Sequence, residues 1–252
     1  MHRDIKHLQS IRVDRFRYPS PNGFIEAVGV FPISKKKLPL ILFYRGGTGD
    51  FGAIENRTIA NFMLPLAEKG FVVFGSQYSG GPGSQGRDYY GGSDTLDMPA
   101  LLALLKKQKR NINFNRIGIL AVSRGAMMAC QNLRDGLKAK RAVFVSGSFD
   151  SRRIKQERPD IYEMWKTKKI VDVDDPTALE NRSPLAFVDK LPTIPFLILH
   201  SKKDWRVPAR QAKEMAKKLP TATLRLFPGD DHALIQHTEQ RNELIMEWFK
   251  KI

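Results

Sequence analysis

An α/β fold, with a mostly parallel central sheet flanked by helices, is what this sequence predicts, and three observations carry the expectation. Apolar runs of strand length alternate with segments of helical periodicity, the pattern of strands joined by helical crossovers. Chemistry-bearing residues stand just past the ends of several of those runs. At 252 residues and 42% hydrophobic content, the chain can bury one substantial core, as a single α/β domain of this size does.

Taken in chain order, strands are expected at Phe24 to Phe31, Leu38 to Tyr44, Phe71 to Gly75, Ile117 to Val122, Ala142 to Val145 and Phe196 to His200, with a further run from Thr223 to Phe227. Each is rich in β-branched, aromatic or leucine residues. Helices are expected at Asn56 to Lys69, Asp94 to Lys109, Arg124 to Leu137, Ala209 to Leu219 and Thr238 to Lys250, several bounded by Asp, Pro or Gly. Asp94 and Asp97 read as residues that favour the start of a helix. No internal repeat is visible. One domain is expected over 1–252. The least regular part, 149–181, holds Tyr162, Trp165 and the acidic run Asp172 to Asp175, and reads as a small cap or a surface excursion.

The segment from Arg116 to Ala126 has the grammar of a strand that turns sharply into a helix at Ser123. A serine in that cramped position needs small neighbours two residues to either side, and Ala121 and Gly125 supply them. Downstream, Asp204 lies just past the Phe196 run, and His232 follows Pro228-Gly-Asp-Asp231. Ser123, Asp204 and His232 thus occur in the order nucleophile, acid, base, each on a loop after a strand, which is the chain order of the α/β-hydrolase arrangement. The chemistry requires the set, because a neutral hydroxyl is a poor nucleophile. His232 takes its proton, and Asp204 fixes the imidazole tautomer. Asp150, after the Ala142 strand, is a rival for the acid, whereas Asp230 and Asp231 read as turn formers.

Four segments resemble the catalytic domain of the prolyl oligopeptidase family of serine hydrolases. They are Leu40 to Gly47; Gly70 to Gly81 with Gly91 to Asp97; the Ser123 turn; and Ser183 to Asp189 leading to the Asp204 and His232 loops. The resemblance implies an α/β-hydrolase fold, Ser123 as nucleophile, Asp204 as acid, His232 as base, and Arg45-Gly46-Gly47 as part of the oxyanion hole. The backbone N–H of Arg124, at the start of the following helix, is a second oxyanion donor. Three positions depart from the family pattern: Arg45 replaces histidine or tyrosine, Ala121 replaces the first glycine of Gly-x-Ser-x-Gly, and Ser201 replaces a glycine after His200. Too few residues precede Leu38 for the β-propeller that screens substrates in the large peptidases. Small esters, amides and short peptides are therefore the expected substrates, with a carboxylesterase without peptidase activity, or a non-catalytic binding protein on the same fold, as alternatives.

The formal charge is +16, but its lysines and arginines are scattered, and no nucleic-acid-reading motif accompanies them. No specific nucleic-acid partner is expected. Arg45, Arg124, Lys202, Lys203 and Arg206 belong to loops that converge on one end of the sheet. Either they make the pocket mouth positive, favouring anionic substrates with Arg206 as a contact, or they extend into solvent. The single cysteine, Cys130, reads as a buried structural thiol. His2, His7, His200 and His237 lack metal-ligand spacing, so neither metal nor cofactor is expected, and His200 reads as structural. No run approaches the length of a membrane span, and Met1 to Ser10 is too polar for a signal peptide. A cytoplasmic protein follows as the expectation.

Overall fold

The computed structural model describes residues 10–108 and 110–252. His2, His7 and the expected helix end at Lys109 lie outside the described residues. Eight strands form one sheet in the order β1-β2-β4-β3-β5-β6-β7-β8. They are β1 (Ile11–Ser20), β2 (Gly23–Pro32), β3 (Leu38–Tyr44), β4 (Val72–Ser76), β5 (Ile112–Val122), β6 (Arg141–Val145), β7 (Phe196–Ser201) and β8 (Ala222–Phe227). From β4 through β3 to β8 every pairing is parallel, while β1 and β2 are antiparallel additions at one edge. The expected α/β-hydrolase class is the one observed.

Side-chain alternation along the strands divides the core into two layers. Leu40, Leu42 and Tyr44 of β3, with Phe144 of β6 and Ile198 of β7, face α1 (Asp97–Lys107), α2 (Arg124–Arg134) and α5 (Ala209–Lys218). Ile41, Phe43, Val143, Val145 and Leu199 face the other side, which α6 (Thr238–Phe249) and the helical pieces from Asn56 to Ala67 cover. Both faces are buried. That is why these strands read as unbroken apolar runs instead of alternating ones.

Several expectations needed correction. β1 was not foreseen: it is an edge strand in which only Tyr18 is buried, so Arg12, Asp14, Arg15 and Arg17 disguise it as polar surface. The expected helix Asn56 to Lys69 is three short pieces, Asn56–Thr58, a π-helical turn Ile59–Met63 and Leu64–Ala67, the last opening with Pro65. α1 starts at Asp97 after a 3₁₀ turn Ser93–Leu96. Asp94 and Asp97 do stand at helix starts, yet both are fully buried hubs. Asp97 accepts from Ser79 N and Oγ, Ser20 Oγ and Asn22 Nδ2, tying the β1–β2 turn to the loop after β4.

The excursion is ordered. It carries α3 (Pro159–Thr167) and α4 (Pro176–Glu180), whose starts are set by Pro159 and by the Asp175 side chain, which accepts from Thr177 N. Tyr162, Trp165, Val171 and Val173 make a separate apolar cluster, and Trp165 meets Tyr90 edge-on at 4.9 Å. Arg182 secures the neighbouring loop by donating to the carbonyls of Tyr89 and Tyr90. Because this cluster is separate from the two layers of the sheet, Trp165→Ala should open 154–180 locally. Limited proteolysis with mass spectrometry is expected to show cleavage there at protease levels that leave the sheet intact; simultaneous cleavage throughout the chain would contradict the separation.

Candidate active site

Ser123 directly follows β5 with φ 56°, in the left-handed region that costs a non-glycine residue energy, and α2 begins at the next residue. The strain is held by the sheet: Ser123 N donates to Val145 O at 2.9 Å, and its carbonyl accepts from Ala126 N and Ser148 N. Gly125 is obligatory, since a Cβ there would stand 2.2 Å from the Tyr44 carbonyl oxygen. Ala121, in contrast, is accommodated inside the sheet opposite Tyr44 and Phe144, so this departure from the family pattern distorts nothing. Gly46 lies against the serine; a Cβ on it would come within 3.0 Å of Ser123 Cβ and 3.6 Å of Oγ.

Asp204 follows β7, and its Oδ1 accepts the backbone N–H groups of Arg206 and Val207 at 2.9 and 3.0 Å. His232 follows β8. Its Nδ1 lies 3.0 and 2.9 Å from the two Asp204 oxygens, and its Nε2 lies 3.0 Å from Ser123 Oγ. An ionised carboxylate has only acceptors, so Nδ1 carries the hydrogen and Nε2 is left to accept from the serine hydroxyl. Burial opposes ionisation of Asp204 most strongly, but the hydrogen bond and charge of His232 and the Val207 N–H outweigh it and hold the carboxyl below its ordinary range.

The rival acid, Asp150, is engaged elsewhere: it caps the turn after β6 and accepts from Arg152 N and Nε. His200 is buried as a structural residue, with Nε2–H donating to Val207 O at 2.9 Å; burial lowers its proton affinity and keeps it neutral. Asp231 turns the His232 loop by accepting from Gln236 N, as foreseen. Ser201, where the family has glycine, uses its hydroxyl to join the loops that carry Asp204 and His232 by donating to Asp231 O at 2.6 Å.

Two of the five cations on the converging loops do not extend into solvent. Arg45 and Arg124 are both fully buried. Arg45 donates to the carbonyls of Gln77, Gly46, Phe51 and Gly49, with its guanidinium over Tyr78. Burial, reinforced by Arg124, pulls its pKa down to about 10. Arg124 pairs through both terminal nitrogens with Asp88, reaches Asp94 with one of them, and donates to Gly47 O. Burial works against its charge, but the two carboxylates more than compensate and raise its pKa. Lys202 and Lys203 are exposed. Arg206 is partly exposed and, like Arg45, lines the cavity that Ser123 faces; its guanidinium lies 4.2 Å from the Trp205 ring centroid and 4.6 Å from that of Phe51.

The serine opens on a cavity of about 820 Å³. Its charged lining comprises Arg45, Arg57 and Arg206 together with the carboxylates Asp50, Glu55, Asp230 and Asp231, so cations and anions share the wall. The sequence reading missed Asp88, Tyr78 and Arg241. Arg241 is fully buried and donates to Ala233 O, Leu234 O and Asn61 O, holding the His232 loop where Ala233 and Leu234 have positive φ. An arginine directly after the serine, on a helix face that must be buried, was itself a clue that a carboxylate stood nearby.

Known proteins resemble this chain in sequence and in fold. A family model described as "Prolyl oligopeptidase family" matches residues 58–252. The Bacillus subtilis (strain 168) protein named "Uncharacterized peptidase YtmA" is 29% identical over 228 residues, which cover 82% of this chain and 84% of that protein. Among solved structures, Pyrococcus horikoshii acylaminoacyl peptidase superposes with a TM-score of 0.83 at 21% identity, covering 98% of this chain. This chain spans 42% of the length of that peptidase. A Pyrococcus furiosus esterase, at TM-score 0.73 and 15% identity, is covered over 94% of its length and covers all of this chain. A Mycobacterium tuberculosis puromycin-hydrolyzing peptidase gives 0.79 at 19% identity, covering 99% of this chain and 40% of its own. At these identities the structural likenesses speak for the fold.

The Asp88 carboxyl gives the site an acid-sensitive element. Burial raises its proton affinity, but the charge and hydrogen bonds of Arg124, with Thr48 Oγ1 and Tyr90 N, bring it down to about 2. Its value in the unfolded chain is about 3.9. The stabilisation, on the order of 2 kcal/mol, is therefore complete above about pH 4 and disappears as pH falls through the folded value. Thermal unfolding of Asp88→Asn beside the parent should show a gap in Tm that is widest at pH 5 and above and narrows towards pH 2. A gap independent of pH would contradict this role.

Proposed function

Since the chain belongs to the prolyl oligopeptidase family of serine hydrolases, we propose that it cleaves ester, amide or peptide bonds of small substrates through an acyl-enzyme on Ser123. The observation that supports this most is the unbroken hydrogen-bonded chain from Asp204 through His232 to Ser123 Oγ, ending at the floor of an open cavity. Ser123 Oγ attacks the substrate carbonyl as His232 Nε2 takes its proton. Asp204 stabilises the resulting imidazolium through Nδ1–H. The negative charge on the carbonyl oxygen is met by the Arg124 N–H, the first of α2 and without an intrahelical acceptor, together with N–H groups of the Gly46–Gly47 loop. His232 then passes the proton to the leaving group. A water, activated by the same nitrogen, releases the acid product.

Arg45 has no direct part in this scheme, because its side chain is spent on carbonyl oxygens. Arg206 is the side chain best placed to touch bound substrate, with Phe51 and Trp205 supplying exposed aromatic surface beside it. With carboxylates also in the wall, a preference for acidic substrates is not part of the proposal. The relatives' names speak of acylaminoacyl peptides, puromycin and esters, and that range sets the first substrates to try. We read 1–252 as one hydrolase domain in which 149–181 is an accessory excursion. The buried Cys130, the chain's one cysteine, suits a reducing, cytoplasmic setting.

Incubation with a fluorophosphonate, followed by intact-mass measurement, tests the reading. One adduct per chain, located on Ser123 and lost in Ser123→Ala and His232→Ala, is expected. Absence of an adduct from the folded parent protein would overturn it.

A further inference from the structure

Residues 46–51, the loop facing Ser123, form neither helix nor strand, yet every carbonyl in them is paired. Thr48 O accepts from Phe51 N at 3.0 Å and Asp50 O from Ala53 N at 3.1 Å. The other four are held by two guanidinium groups. Arg45 takes Gly46 O at 3.2 Å, Gly49 O at 2.9 Å and Phe51 O at 3.2 Å, while Arg124 takes Gly47 O at 2.9 Å. Asp88 fastens the same loop from the other side, accepting from Thr48 Oγ1 and Gly49 N while paired with Arg124. Among the described residues, neither the Gly46 nor the Gly47 N–H meets a protein acceptor.

We propose that Arg45 and Arg124 are positioning residues of the oxyanion site, which act by gripping the outward side of the loop's peptide groups so that its N–H groups are presented to the reacting carbonyl. This rests on the reading of Ser123 as nucleophile. The Gly46 carbonyl and the Gly47 N–H belong to one trans peptide, so they point in opposite directions. Drawing the oxygen to the buried Arg45 therefore turns the N–H towards the cavity that Gly46, Gly47 and Ser123 line. A cation on the oxygen also polarises the peptide and strengthens its N–H as a donor. Glycines cannot hold that orientation by themselves, because their backbone populates too many conformations. Arg124 couples the two halves of the site: its own N–H heads α2, and its side chain fixes Gly47.

The effect is specific to the transition state, so it separates kcat from KM. Arg45→Met, Arg45→Lys and Arg124→Lys are to be compared with the parent on p-nitrophenyl butyrate and on inhibition by phenylboronic acid. The boron of that probe bonds to Ser123 Oγ and becomes a tetrahedral anion, while His232 holds the displaced proton. Arg45→Met is expected to lower kcat by about 10- to 100-fold with KM changed less than about threefold, and to weaken phenylboronic acid by the same factor as kcat. Arg45→Lys, with one nitrogen for four carbonyl oxygens, should restore part of both, and Arg124→Lys should lose both. Unchanged kcat, or a rise in KM alone, overturns the proposal. If the methionine variant does not fold, the lysine variant decides: about tenfold lower kcat supports the role, and parental kcat refutes it. A parent protein that neither hydrolyses the ester nor takes the fluorophosphonate removes the hydrolase reading itself, a result distinct from either.

Discussion

Buried guanidinium groups bonded to loop carbonyls are the interaction on which the site depends. Ser123, Asp204 and His232 are carried by loops beyond the strand ends, where the sheet's hydrogen-bond ladder no longer orders the backbone. Arg45 and Arg124 order the glycine loop, and Arg241 does the same for the His232 loop. Taking such charges out of water is costly, and removal of a partner leaves a buried group uncompensated. Arg124 recovers that cost from Asp88 and Asp94. Arg45 and Arg241 rely on carbonyl dipoles; burial brings both to about 10, still protonated at neutral pH.

The same cluster links fold to chemistry. Asp88 and Asp94 come from the glycine-rich loop after β4, Arg124 from α2 and Gly47 from the loop after β3, so crossovers from three neighbouring strands meet behind the serine. Tyr78 and Tyr90 lie against the arginines, with Arg124 4.3 Å from the Tyr90 ring centroid. Tyr90 in turn packs on Trp165, which gives the excursion a mechanical connection to the site without lining the cavity.

The strands of the parallel core were legible because burial on both faces leaves a continuous apolar run, and β3, β6 and β7 are read almost to the residue. β1 was hidden because an edge strand has one wet face and needs only Tyr18 inside. Ser123, Asp204 and His232 were legible from chain order and from the small residues the turn demands. What escaped was long-range pairing. That Arg45 and Arg124 are buried depends on Gln77, Asp88 and Asp94, residues brought to them only by the crossover connections; scattered basic residues look alike until their partners are known. Local spacing likewise suggested that Asp94 and Asp97 start helices, which they do, while their burial and cross-chain hydrogen bonds come from packing.

The central claim is that a glycine loop held from behind by buried arginines faces its N–H groups towards the charge that develops beside Ser123. The most direct measurement is a crystal structure of the fluorophosphonate-inhibited protein, in which the phosphoryl oxygen occupies the place of the oxyanion. The account predicts that oxygen at about 2.7–3.1 Å from the Arg124 N–H and from an N–H of the Gly46–Gly47 loop, with Arg45 still on the loop carbonyls. A phosphoryl oxygen directed into open cavity, or a loop turned with its carbonyls towards the adduct, would contradict it.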